Sequence, residues 1–78
     1  MKVDKIEEYI LEKIKNEEYV KGEMINSENQ LSQKFNVSRM TVRKAIENLI
    51  QRNYLYRKHG KGTYVKDNSN KHIIYLNE

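Results

Sequence analysis

Residues 27–49 read SENQLSQKFNVSRMTVRKAIENL, and the caps and apolar spacing inside that stretch decide the fold. Ser27 with Gln30 three residues later is a capping-box pattern, in which each side chain satisfies a backbone N–H that the first helical turn leaves free. It opens a short helix with Leu31 and Phe35 one turn apart. Asn36 falls where helices commonly end in left-handed backbone, a conformation asparagine tolerates better than most residues. Ser38, just beyond, is a further N-cap. The helix after it carries Val42, Ala45, Ile46, Leu49 and Ile50 on one face and is expected to end near Arg52, with Asn53 as its left-handed exit. Two helices joined by about three residues, the second the longer, are helix-turn-helix geometry.

Working outward toward the N-terminus, Ile6, Ile10 and Ile14 recur every four residues with Tyr9 and Leu11 beside them, which predicts an amphipathic helix over 5–18. Asp4 and Glu7 form a capping-box pattern at its start, with Val3 as a staple residue. Gly22 marks a turn, and Met24-Ile25 suit a very short strand. Toward the C-terminus, residues 54–57 and 63–66 are rich in β-formers, and Lys58-His59-Gly60-Lys61-Gly62 between them reads as the cationic tip of a hairpin. Helix, helix-turn-helix and basic hairpin, in that order, predict a mainly α winged helix over 1–66: three helices plus a wing, with the helix-turn-helix at 27–46 and the wing at 54–66. Residues 67–71 are polar and turn-prone, as a linker would be.

Charge is unevenly placed. The 78-residue chain carries a formal +4, yet residues 38–66 alone hold eight Lys/Arg against the single acid Glu47. Residues 1–37 are net acidic, with six Lys/Arg against eight Asp/Glu. A basic block of this kind points to a polyanion, and nucleic acid is the commonest one. Other classes are disfavoured. There is no cysteine, and the two histidines, His59 and His72, cannot build a zinc site of the usual kind. No nucleophile, base and acid fall at a spacing that suggests an enzyme, and no cofactor is expected. The first residues carry three acids and are no signal peptide, and the longest apolar run, Ile73-Ile74-Tyr75-Leu76, is far short of a membrane span. These features predict a cytoplasmic protein in a reducing compartment.

The N-terminal turns of a recognition helix face base edges in the major groove. Ser38, Arg39, Met40, Thr41, Arg43 and Lys44 hold those positions here, off the apolar stripe or at its margin. An arginine fork matches the O6 and N7 of guanine, the hydroxyls of Ser38 and Thr41 suit phosphates, and Met40 suits a thymine methyl. Ser27, capping the preceding helix, joins the expected set. At the wing tip His59, Gly60, Lys61 and Gly62 are expected to approach the minor groove, lysine supplying charge and the glycines a slim backbone. The alternative is a winged helix that binds protein or RNA. Arginines at recognition-helix positions disfavour the first, and tyrosines placed to serve the core disfavour the second.

The stretch 27–49 with GKGTYV at 60–65 resembles the winged-helix DNA-binding domain of GntR-type bacterial transcription regulators. Val37, Ser38, Arg39, Thr41, Val42, Arg43 and Ala45 match the pattern at the recognition helix, and Gly60, Gly62, Thr63 and Val65 match it at the wing. Asn26 stands where the family usually has proline, which should loosen entry to the second helix; Asn53 and Glu17 stand where it usually has glycine. The resemblance implies DNA contact by Arg39, Thr41, Arg43 and the wing glycines. It also implies a metabolite-responsive regulator, a repressor, binding a palindromic operator as a homodimer. Its small-molecule effector would be bound by a C-terminal domain that begins in 67–78 after the linker. Ile73-Ile74-Tyr75-Leu76 as a first strand of that domain would suit the HutC-like branch, and the 78 residues alone should be mainly monomeric.

Overall fold

The computed structural model describes residues 2–67. Three helices, α1 (Lys2–Lys15), α2 (Glu28–Phe35) and α3 (Arg39–Gln51), are followed by an antiparallel hairpin of β1 (Leu55–Lys58) and β2 (Gly62–Val65). Helix α3 is central and packs against α1, α2 and β1. Its buried Val42, Ala45, Ile46 and Leu49 meet Ile6 and Ile10 of α1, Leu31 of α2, and Leu55 and Val65 of the hairpin in one core. The winged-helix architecture is the expected one. The linker beyond Asp67, the expected strand at 73–76 and the effector domain they were expected to introduce lie outside the described residues.

Both helix starts of the helix-turn-helix form as their sequences dictate. Ser27 Oγ accepts from the Gln30 backbone N–H while Gln30 Oε1 accepts from the Ser27 backbone N–H, a complete capping box. Ser38 Oγ accepts from the Thr41 backbone N–H at 3.2 Å. Helix α1 departs from expectation. It runs 2–15 rather than 5–18, so Asp4 lies inside its first turn and is no cap. There its charge faces the positive end of the helix dipole. Glu7, expected to close that box, is committed elsewhere: it accepts from Asn48 Nδ2 and Arg52 Nη1 of α3.

All three helices end alike. The residue after each last turn is left-handed, and none is glycine: Glu17 (φ 62°), Asn36 (φ 56°) and Asn53 (φ 70°). Around each, two backbone N–H groups fold back onto the last turn, as in Glu18 N to Lys13 O at 2.8 Å and Tyr54 N to Leu49 O at 2.9 Å. Glutamate has no local hydrogen bond that favours this region, so Glu17 carries the largest strain of the three.

The wing is shifted by one residue from its expected bounds, 55–58 and 62–65 in place of 54–57 and 63–66, with Leu55 opposite Val65 and Lys58 opposite Gly62. Gly62 thus belongs to the strand. Met24 bridges Tyr64, and Ile25 N donates to Thr63 O at 2.9 Å, so the expected short strand lies along the free edge of β2. Tyr56 and Tyr64 stack at 5.7 Å between ring centroids. They alternate with the core residues Leu55 and Val65, which puts the pair on the outer face of the hairpin and corrects the expectation that these two tyrosines serve the core; Tyr54 packs against the core as expected. The entry to α2 is tied rather than loosened: the buried Tyr19 hydroxyl donates to Asn26 Oδ1, doing by hydrogen bond what proline does by restricting the chain.

Candidate nucleic-acid interface

The first turns of α3 project Arg39, Met40, Arg43 and Lys44 to solvent because Val42, Ala45 and Ile46 hold the opposite face in the core. Met40 is 69% exposed. Ser38 Oγ and Thr41 Oγ1 are 3.1 Å apart, so the two hydroxyls form one polar unit at the helix start. Arg39 and Lys44 make no ion pair among the described residues, which leaves both charges open. An open cleft of about 510 Å³ separates this start from the wing and from the first turn of α2. Arg39, Arg57 and Lys61 line it from α3, β1 and the wing tip, with Ser27 and Glu28 on the α2 side. Of the expected residues, the cleft brings together Arg39, Ser27, Lys61 and Gly62, while Ser38, Met40, Thr41, Arg43 and Lys44 lie on or beside the first turns of α3 outside its lining.

Arg43 is not loose. Its Nε and Nη2 donate to Glu28 Oε2 and Oε1 at 3.1 and 3.0 Å, a two-bond fork. Arg57 Nη1 reaches the same Oε2 at 3.3 Å. The Glu28 side chain is 19% exposed, and the Arg43 hydrogen bonds hold its carboxyl below the usual carboxylate range against the opposing effect of burial. Glu28 thereby joins α2, α3 and β1. Sequence reading missed Glu28 and Arg57 as site residues. The signal was the serine-glutamate pair at 27–28, a lone acid in the turn before a strongly basic block.

At the wing tip, Lys61 N donates to Lys58 O at 2.9 Å and closes the turn. Gly60 needs its left-handed φ of 73°, and Gly62 (φ 151°) would bring a Cβ within 2.8 Å of Met24 Sδ. The hairpin's own geometry accounts for both glycines. His59 is exposed at the tip, and Lys58 lies over the Tyr64 ring at 5.1 Å. The basic block also divides: Arg52 goes to Glu7 at the far end of α3, and Lys66 to Asn53. Among the described residues no group of His, Cys, Asp and Glu could hold a metal ion, and no helix is long and apolar enough to cross a membrane.

A winged helix with cationic side chains at the start of α3 and at the wing is the architecture of DNA-binding transcription regulators. The family is shown by comparison: residues 2–65 match the bacterial regulatory proteins of the gntR family, and the chain belongs to it. It is 46% identical over 61 residues to the uncharacterized HTH-type transcriptional regulator YurK of Bacillus subtilis (strain 168), covering 78% of this chain and 25% of YurK. It is 42% identical over 60 residues to the HTH-type transcriptional repressor NagR of the same organism, covering 77% of this chain and 25% of NagR. The chain thus spans about a quarter of the length of these relatives. Among solved structures, AraR(DBD) in complex with operator ORE1 superposes with a TM-score of 0.81 at 38% identity, covering 83% of this chain and 79% of that one.

Proposed function

We infer that this chain is the operator-reading domain of a bacterial transcriptional repressor, with the start of α3 in the major groove and the wing tip at the adjacent minor groove. The observation that carries the reading is the cleft itself: three separate elements turn Arg39, Arg57 and Lys61 toward one space beside the exposed first turns of α3. That is a surface for a polyanion with a groove. Similarity to AraR(DBD), solved on its operators, supports it. Ser38, Thr41 and Ser27 serve the phosphates, Arg39 and Arg43 the bases, and Met40 and Lys44 flank them; Lys61, with His59, Gly60 and Gly62 around it, serves the second groove. We extend the reading to repression, effector control through a C-terminal domain of HutC-like type, homodimeric binding to a palindrome and a cytoplasmic location; relatives named as repressors support the first of these.

The test is selection of bound sites from a randomised duplex pool, followed by titration of the enriched site against a shuffled duplex and against double-stranded RNA. A preference for the enriched DNA supports the reading. Equal binding to RNA, or no enrichment, overturns it.

A further inference from the structure

We propose that Glu28 is a specificity-determining residue that fixes Arg43 as the reader of one guanine. The inference rests on the DNA-binding reading above. A guanidinium has five N–H groups in a planar fork. Glu28 takes the Nε and Nη2 hydrogens along one side of that fork. The far edge, with one hydrogen on Nη1 and one on Nη2, has no hydrogen-bond partner among the described residues, on an arginine whose side chain is 47% exposed. That is the edge that pairs with guanine O6 and N7.

The carboxylate can do this because it is itself held. It is anchored on α2, is mostly buried, and is gripped from β1 by Arg57. Glu47, on α3 itself, acts on Arg43 only through longer-range attraction. One carboxylate between two guanidiniums leaves the cluster net positive, so long-range attraction to DNA is kept. Close in, the negative charge beside Arg43 repels phosphate and disfavours use of that arginine as a general backbone contact. Glu28 therefore exchanges non-specific affinity for discrimination, the pattern expected where a repulsive element helps set specificity.

The experiment uses the full chain and its selected duplex, with each base pair substituted in turn, on wild type, Glu28→Gln, Glu28→Asp, Arg43→Ala and the double variant Glu28→Gln/Arg43→Ala. All are titrated below their melting temperatures, with circular dichroism confirming the fold. Arg43→Ala should lose discrimination at one G·C pair. Glu28→Gln should lose about tenfold discrimination at that same pair, while binding random duplex more tightly and with a steeper salt dependence. Glu28→Asp keeps the charge but shortens the reach, and should lose discrimination without the gain on random duplex. In the Arg43→Ala background Glu28→Gln should change nothing at that pair.

Unchanged discrimination in folded Glu28→Gln and Glu28→Asp would overturn the proposal. So would a loss at a different base pair that survives in the Arg43→Ala background, since Glu28 would then itself be reading a base. Absence of any sequence preference in the wild type is a distinct result, which removes the DNA-binding reading first.

Discussion

Asn48 Nδ2 donates to Glu7 Oε2 at 2.7 Å, joining α3 to α1 across 41 positions of sequence. Arg52 Nη1 adds a second donor to the same carboxylate at 3.4 Å, and the Glu7 side chain is only 14% exposed. The pair fixes the back of the recognition helix, as the Glu28 cluster fixes its front. Glu7→Ala leaves the Asn48 amide without its charged acceptor, and should cost about 1.5–3 kcal/mol of stability. Urea unfolding checks it; a loss below a few tenths of a kcal/mol would show that water replaces the carboxylate without penalty.

Glu17→Gly should stabilise the domain by about 1 kcal/mol, because glycine adopts the left-handed exit of α1 that glutamate adopts under strain. For a domain of this size that is a rise in Tm of roughly 4–8 °C. Asn36→Gly and Asn53→Gly should gain less, since asparagine already tolerates that region. Equal gains at all three positions would mean that the strain does not depend on the side chain.

Stability should fall on acidification through Glu28. Its carboxyl is held below the ordinary range, chiefly by Arg43, so folding is favoured at pH values above the unfolded carboxyl's, about 4.3. That contribution declines as pH drops from there through the folded value. The stability difference between wild type and Glu28→Gln should accordingly be full at neutral pH and vanish in strong acid. A difference that is flat with pH would show that the carboxylate's charge contributes nothing to folding.

How much of this was legible depended on distance along the chain. Ser27 with Gln30, Ser38 with Thr41, and the left-handed Asn36 and Asn53 were readable because each is satisfied within a turn of itself. The start of α1 was misplaced because its apparent box partner, Glu7, is claimed by Asn48 and Arg52, which no local pattern reveals. Glu28 escaped notice as a site residue for the same reason, with Arg43 15 positions away and Arg57 29 away. The hairpin kept the pairing its expected bounds imply, with Leu55 opposite Val65, and only its ends moved toward the tip when Gly62 joined β2. The outer placement of Tyr56 and Tyr64 follows from Leu55 and Val65 taking the core face, a choice of face that local β-propensity does not reveal.

Lys61→Ala should weaken binding to specific and random duplexes alike and lower the slope of log affinity against log salt by about one unit, the change expected when one phosphate is no longer neutralised. The motivation is a lysine at the wing end of the cleft, with no acid paired to it among the described residues. An unchanged slope would remove Lys61 from the interface.

The central claim is that the exposed start of α3 reads base sequence. The most direct measurement is fluorescence-anisotropy titration of wild type and Arg39→Ala on the selected site and on its shuffled counterpart, at one fixed salt concentration. Arg39 is the open arginine of that turn, and its loss should cost about 1–3 kcal/mol on the selected site and much less on the shuffled one. Equal losses on both duplexes would contradict the claim, because they would reduce Arg39 to a phosphate contact.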